Sequence, residues 1–141
     1  MMKQHLFLTF AAMLGLAAIH PARADETLFQ DLGGREGLAR IVDTMLEISL
    51  KDPRIKEKFG ETNMVRLERE LAVHLCDITG GPCKYEGRTM AEAHAELQLT
   101  HAHFNALVEI MQVAMDREKI PFRTQNKLMA ILAPMHRDVV T

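Results

Sequence analysis

A chain of 141 residues is long enough for one domain with a buried core and too short for two. Hydrophobic residues at 48% exclude a disordered or wholly membrane-embedded protein, and one Tyr, no Trp and ten Met favour packed helices over a β-sandwich. The formal charge is −2, and setting aside residues 1–24, whose only charges are Lys3 and Arg23, leaves the remainder more acidic still, which excludes nucleic-acid binding as the main task because phosphate contact needs a basic surface.

Residues 1–24 read as a signal peptide. Lys3 gives a positive start, Leu6 to Ile19 is almost wholly apolar, and Ala22-Arg23-Ala24 has the form of a cleavage site, so residues 25–141 form the mature domain. The apolar run is shorter than the ~20 residues a spanning helix needs, which leaves an uncleaved anchor as the weaker alternative. The mature chain is expected in a periplasm or outside the cell, with no membrane segment after cleavage.

Thr27-Leu28-Phe29-Gln30 has the pattern of a capping box opening a short helix to about Leu32. Gly33-Gly34 turns the chain, and a second helix over 35–50 places Leu38, Ile41, Val42, Met45, Leu46 and Ser49 on one face. Asp52-Pro53 ends it, and a short segment carries Ile55 and Phe59. Thr62-Asn63 caps a third helix, 64–78, with Leu67, Leu71, His74, Leu75 and Ile78 on its inner side. Gly80-Gly81-Pro82 stops it, and 83–88 is a loop.

Thr89-Met90-Ala91-Glu92 is a second capping box, opening a short helix with Met90, His94 and Leu97 on one face. Thr100 caps a fifth helix, 101–118, with Phe104, Leu107, Val108, Met111, Ala114 and Met115 inward. A sixth, about 123–138, buries Leu128, Ile131, Leu132 and Met135, with Pro134 bending its last turn. The sum is an all-α domain whose glycine breaks let neighbouring helices cross steeply.

Cys76 and Cys83 flank a turn-forming stretch, and an even cysteine count in an oxidising compartment favours a disulfide over two free thiols or a redox switch. His94 sits on the apolar face of a short capped helix, where an imidazole either satisfies its nitrogens within the core or binds something. No C-x-x-C-H motif is present for covalent haem attachment, and no H-E-x-x-H for zinc. His101-Ala102-His103 offers two surface imidazoles without a third ligand. His74, Cys76 and Cys83 could form part of a zinc site but lack a fourth ligand.

Several of these segments, in this order, resemble group 1 truncated haemoglobins: Leu28 to Gly34, Phe59 with Thr62-Asn63-Met64, Gly80-Gly81-Pro82, Tyr85 through Met90-Ala91-Glu92-Ala93-His94, Thr100 through His103-Phe104, and Leu132-Ala133-Pro134-Met135 to Val140. The similarity spans about residues 27–140. It implies a shortened globin fold, a two-over-two helical sandwich around haem b. It maps the iron ligand onto His94, with His103 a decoy at the start of the next long helix. Phe59 matches the aromatic packed on the haem face, and Met90 and Leu97 flank His94. Phe104, Met111, Leu128, Ile131 and Leu132 would line the cavity.

The distal side departs from the family pattern. Leu46 and Leu71 stand where many members carry the Tyr and Gln that hold oxygen, Leu67 lies one turn before Leu71, and Glu70 takes the place of a distal His. His74 replaces an aromatic and could donate to a ligand, touch a propionate or approach the iron.

Three functions follow as expectations. The first is reversible binding of oxygen, nitric oxide or carbon monoxide at haem b, with an unidentified reductase as a further partner. The second is a haem enzyme for nitric oxide dioxygenation or peroxidase-like chemistry, which the apolar distal set disfavours. The third is a haem-free helical domain acting through protein contacts, in which His94 is an ordinary core residue.

Overall fold

The computed structural model describes the backbone of residues 24–141 and the side chains from Leu28 onward. The segment read as a signal peptide, up to residue 23, lies outside the described residues. The elements run α1 (Ala24–Asp31), α2 (Gly34–Ser49), a 3-10 turn (Lys56–Phe59), α3 (Met64–Ile78), α4 (Met90–His94), α5 (His101–Arg117), α6 (Phe122–Leu132), a second 3-10 turn (Ala133–Met135) and α7 (His136–Val139). All are helical, and no described helix is long and apolar enough to cross a membrane.

Helix α2 organises the domain. Its period places Leu38, Ile41, Val42, Met45 and Leu46 in the core, and it packs closely on α3 to one side and α5 to the other. Helix α5 in turn packs on α6, so two helix pairs, α2–α3 and α5–α6, enclose the centre. Ser49, the polar member of the α2 stripe, is fully buried and satisfied by donating to the Met45 carbonyl at 2.8 Å. Arg54 ties the turn after α2 to α5, donating to Asp52 at 2.8 Å and to Glu109 at 2.6 Å.

The helix starts follow local chemistry. Gly33 caps α2 with φ +87°, a conformation that costs a side-chain-bearing residue. Asn63 accepts from the Arg66 amide at 3.0 Å to open α3. Two expectations are corrected. Helix α1 begins at Ala24, so Thr27 lies inside it and is not its cap. The single helix expected over about 123–138 is three pieces, because Pro134 lacks the amide to continue an α-helix and the chain tightens into a 3-10 turn before restarting as α7.

Cys76 and Cys83 are bonded, their Cα atoms 5.7 Å apart, so the free-thiol and zinc readings of these residues fall. The disulfide loop folds back on α1. The Phe29 amide donates to the Thr79 carbonyl at 3.2 Å, and a Cβ on Gly81 would stand 2.6 Å from both the Cys76 sulfur and the Phe29 ring. Only glycine fits that approach. The loop is thereby fixed where the chain leaves α3 for α4.

Candidate functional site

Helix α4 is short because its start is strongly specified and its end is not. Thr89 Oγ1 accepts from the Glu92 amide at 3.2 Å, while the Glu92 carboxylate accepts from the Thr89 amide at 2.9 Å and hydroxyl at 2.8 Å. These donations, the backbone amide first, hold the Glu92 carboxyl below its ordinary pKa. After one turn the helix stops at His94, and Gln98 adopts φ +49°. The helical phase therefore does not reach Leu97, which is 37% exposed rather than stacked beneath His94 as its spacing suggested.

His94 is half-buried, and its Nδ1 lies 2.7 Å from the Met90 carbonyl oxygen. A carbonyl can only accept, so Nδ1 carries a proton, and in the neutral ring Nε2 is the nitrogen with the lone pair. This arrangement fixes ring orientation and tautomer together, as metal-ligating histidines require. Lys58 donates to the carbonyls of Leu97 at 3.0 Å and Gln98 at 3.3 Å, tying the turn after α4 to the 3-10 segment.

A layer of apolar side chains lies over the core and is incompletely closed. Phe59, Leu67, Leu71, Leu107, Ile131 and Leu132 pack against the core on one side and remain half-buried. Helix α3 packs closely along α2 and along no other helix among the described residues. Met90 and Phe104 are half-buried as well. Leu46, Met111 and Leu128 are buried, Leu128 completely, and belong to the core behind this wall. The residues singled out from the sequence are thus divided between a partly open apolar rim and the packed layer beneath it.

The polar residues near the site have distinct roles. His74 is half-buried, yet both its ring nitrogens are sealed and have no hydrogen-bond partner in the protein. It meets Tyr85 edge-on with ring centroids 4.9 Å apart, and burial pushes its pKa down, Asp77 opposing the effect. The Tyr85 hydroxyl donates to the Arg88 carbonyl and its amide to Asp77, both at 2.9 Å, so the loop closes over His74. His103, the decoy, has a structural role: the Thr100 amide donates to its Nδ1 at 3.0 Å, completing a capping box for α5. Sequence reasoning missed this because the usual partner at that position is Glu or Gln. It also missed that His101 pairs with His136, their nitrogens 2.7 Å apart, and that Phe104 turns its edge to His136 at 4.8 Å.

The chain matches the model of the bacterial-like globin family over residues 27–141. The group 1 truncated hemoglobin GlbN of Synechocystis sp. is 34% identical over 120 residues, covering 81% of this chain and 97% of that relative. A group 1 truncated hemoglobin of Tetrahymena thermophila is 36% identical over 87 residues, 62% of this chain and 72% of the relative. Among solved structures, the truncated hemoglobin of Tetrahymena pyriformis in its Fe(III) form superposes with a TM-score of 0.77 at 25% identity, covering 80% of this chain and 97% of that one.

Proposed function

The chain belongs to the bacterial-like globin family, among the group 1 truncated haemoglobins, and on that premise we propose that His94 would hold haem b and that the haem would bind diatomic gases. The observation that carries this reading is the Nδ1–H of His94 bonded to the Met90 carbonyl, which fixes the ring and makes Nε2 the nitrogen available to a metal. Phe59, Leu67, Leu71, Phe104, Ile131 and Leu132 would cover the faces of the macrocycle, where apolar contact and exclusion of water hold a flat, largely apolar group. When bound, haem supplies the iron that takes up oxygen, nitric oxide or carbon monoxide reversibly.

The distal residues tune that binding by what they lack. Leu46, Leu67 and Leu71 can exclude water but donate nothing, and the His74 ring on the same helix as Leu67 and Leu71 packs edge-on with Tyr85. A dry pocket without a donor favours ligands that bind without a hydrogen bond, carbon monoxide and nitric oxide, over oxygen, and weighs against dioxygenation as the main activity. An unidentified reductase returning the iron to its ferrous state is part of the proposal. So is export from the cytoplasm, which the Cys76–Cys83 disulfide supports because such bonds persist in oxidising compartments.

The test is a titration of the purified chain with hemin, followed by reduction and exposure to carbon monoxide. A saturable Soret band that shifts with carbon monoxide is the expected result. A chain that stays colourless with excess hemin overturns the proposal and returns His94 to an ordinary partly buried residue.

A further inference from the structure

Helix α4 has five residues and buries none of its side chains. An isolated helix of that length does not hold in water, so α4 persists through its caps and contacts. Among the described residues, α7 is the one helix that packs closely along it. Helix α7 is itself only four residues long and is fastened at both ends. At its start, His101 Nδ1 and His136 Nε2 are 2.7 Å apart with ring planes within 19°. The near-parallel rings have centroids 4.7 Å apart, and at this nitrogen separation one ring's N–H donates to the other's lone pair. At its end, Val139 is buried and the Thr141 amide donates to the Leu99 carbonyl at 3.1 Å.

We infer that the His101–His136 pair is a clasp holding α7 against α4, and that both histidines are positioning residues for His94. The clasp joins the first residue of α5 to the first residue of α7, 35 positions apart. Phe104, one turn into α5, rests its edge on the same His136 ring, so the clasp also connects to the apolar wall. Lys58 restrains the turn after α4, and α7 is the helix that packs along α4 itself. The inference rests on His94 being the cofactor's ligand for its functional meaning. The docking of α4 on α7 stands without it.

The experiment uses the full chain, with and without hemin. In the hemin-free chain, hydrogen exchange is read at the amides of Ala93 and Leu97, which donate to the carbonyls of Thr89 and His94. In the loaded chain, the rate of hemin loss to an excess of haem-free acceptor globin and the iron–histidine stretch of the ferrous form are read. His101→Ala, at an exposed helix start, and His136→Ala should each speed exchange and hemin loss by about two- to tenfold, the span of one hydrogen bond, and shift the stretch. The double variant should match the worse single, because both changes remove the same bond. His136→Gln, which can still bond to His101, should recover most of the loss, and Arg137→Ala, exposed on the same helix, should change nothing. If His136→Ala does not fold, His101→Ala decides alone. Exchange and stretch unchanged in His101→Ala, or additive effects in the double variant, overturn the clasp. A wild-type chain that takes up no hemin removes the cofactor reading, while the exchange measurement still judges the clasp.

Discussion

His94 Nδ1 stands 2.7 Å from the carbonyl oxygen of Met90, one turn earlier in the same five-residue helix. The bond is local, but its consequence is not: it decides which nitrogen of the ring is left to coordinate. His94→Ala is expected to abolish stable hemin binding, read as loss of the Soret band. His103→Ala should retain the band and lower stability by about 1 kcal/mol, because its ring completes the α5 capping box. Equal retention of hemin by the two variants would reverse the assignment.

The distal face gives a second prediction. Leu71 is half-buried on α3 and has nearly the volume of Gln. Leu71→Gln introduces a donor without overfilling the pocket. Oxygen dissociation measured by stopped flow should slow roughly tenfold to a hundredfold, the worth of about 1.5–3 kcal/mol for a hydrogen bond to a charged acceptor. Carbon monoxide release should change much less. An unchanged oxygen rate would mean that Leu71 does not face the ligand.

His74 sets a pH dependence. Burial depresses its pKa below the ordinary value of 6.5, so the folded chain binds fewer protons there than the unfolded chain. Stability from this group is complete above the unfolded value and is lost as pH falls through and below it, until the folded pKa is also passed. Urea unfolding of the hemin-free chain between about pH 7.5 and 5 should show a steeper loss for the wild type than for His74→Phe. Parallel curves would place the acid sensitivity elsewhere.

The disulfide loop yields the fourth. Replacing both Cys76 and Cys83 by Ser should cost roughly 2–3 kcal/mol of stability, since the bond closes a short loop in the unfolded chain. Gly81→Ala should cost roughly 1–3 kcal/mol in the oxidised protein, because its Cβ meets the Phe29 ring and the Cys76 sulfur at 2.6 Å. Thermal melts with and without reductant check both. A melt insensitive to reductant would show that the loop is held by its packing on α1 alone.

Periodicity and capping chemistry were enough to determine the helices and most of their boundaries. The Asn63, Thr89 and Thr100 caps are closed by residues three positions away, so their physics is contained in a few adjacent letters. The bond that His94 makes is equally local, to Met90 four residues back, but helix pattern alone did not separate a ligand there from an ordinary core histidine, and its reading as a ligand came from the resemblance. Tertiary structure alone decided what lies across long gaps in the chain. His101 meets His136, His74 packs edge-on with Tyr85, and Phe104 packs edge-to-face with His136 of α7. Local spacing cannot foresee that a short helix ends after one turn and leaves Leu97 partly exposed, nor that Pro134 divides a helix instead of bending it. Those outcomes depend on which partner competes best for each buried group once the helices have packed, and that competition is settled in space, between residues far apart along the chain.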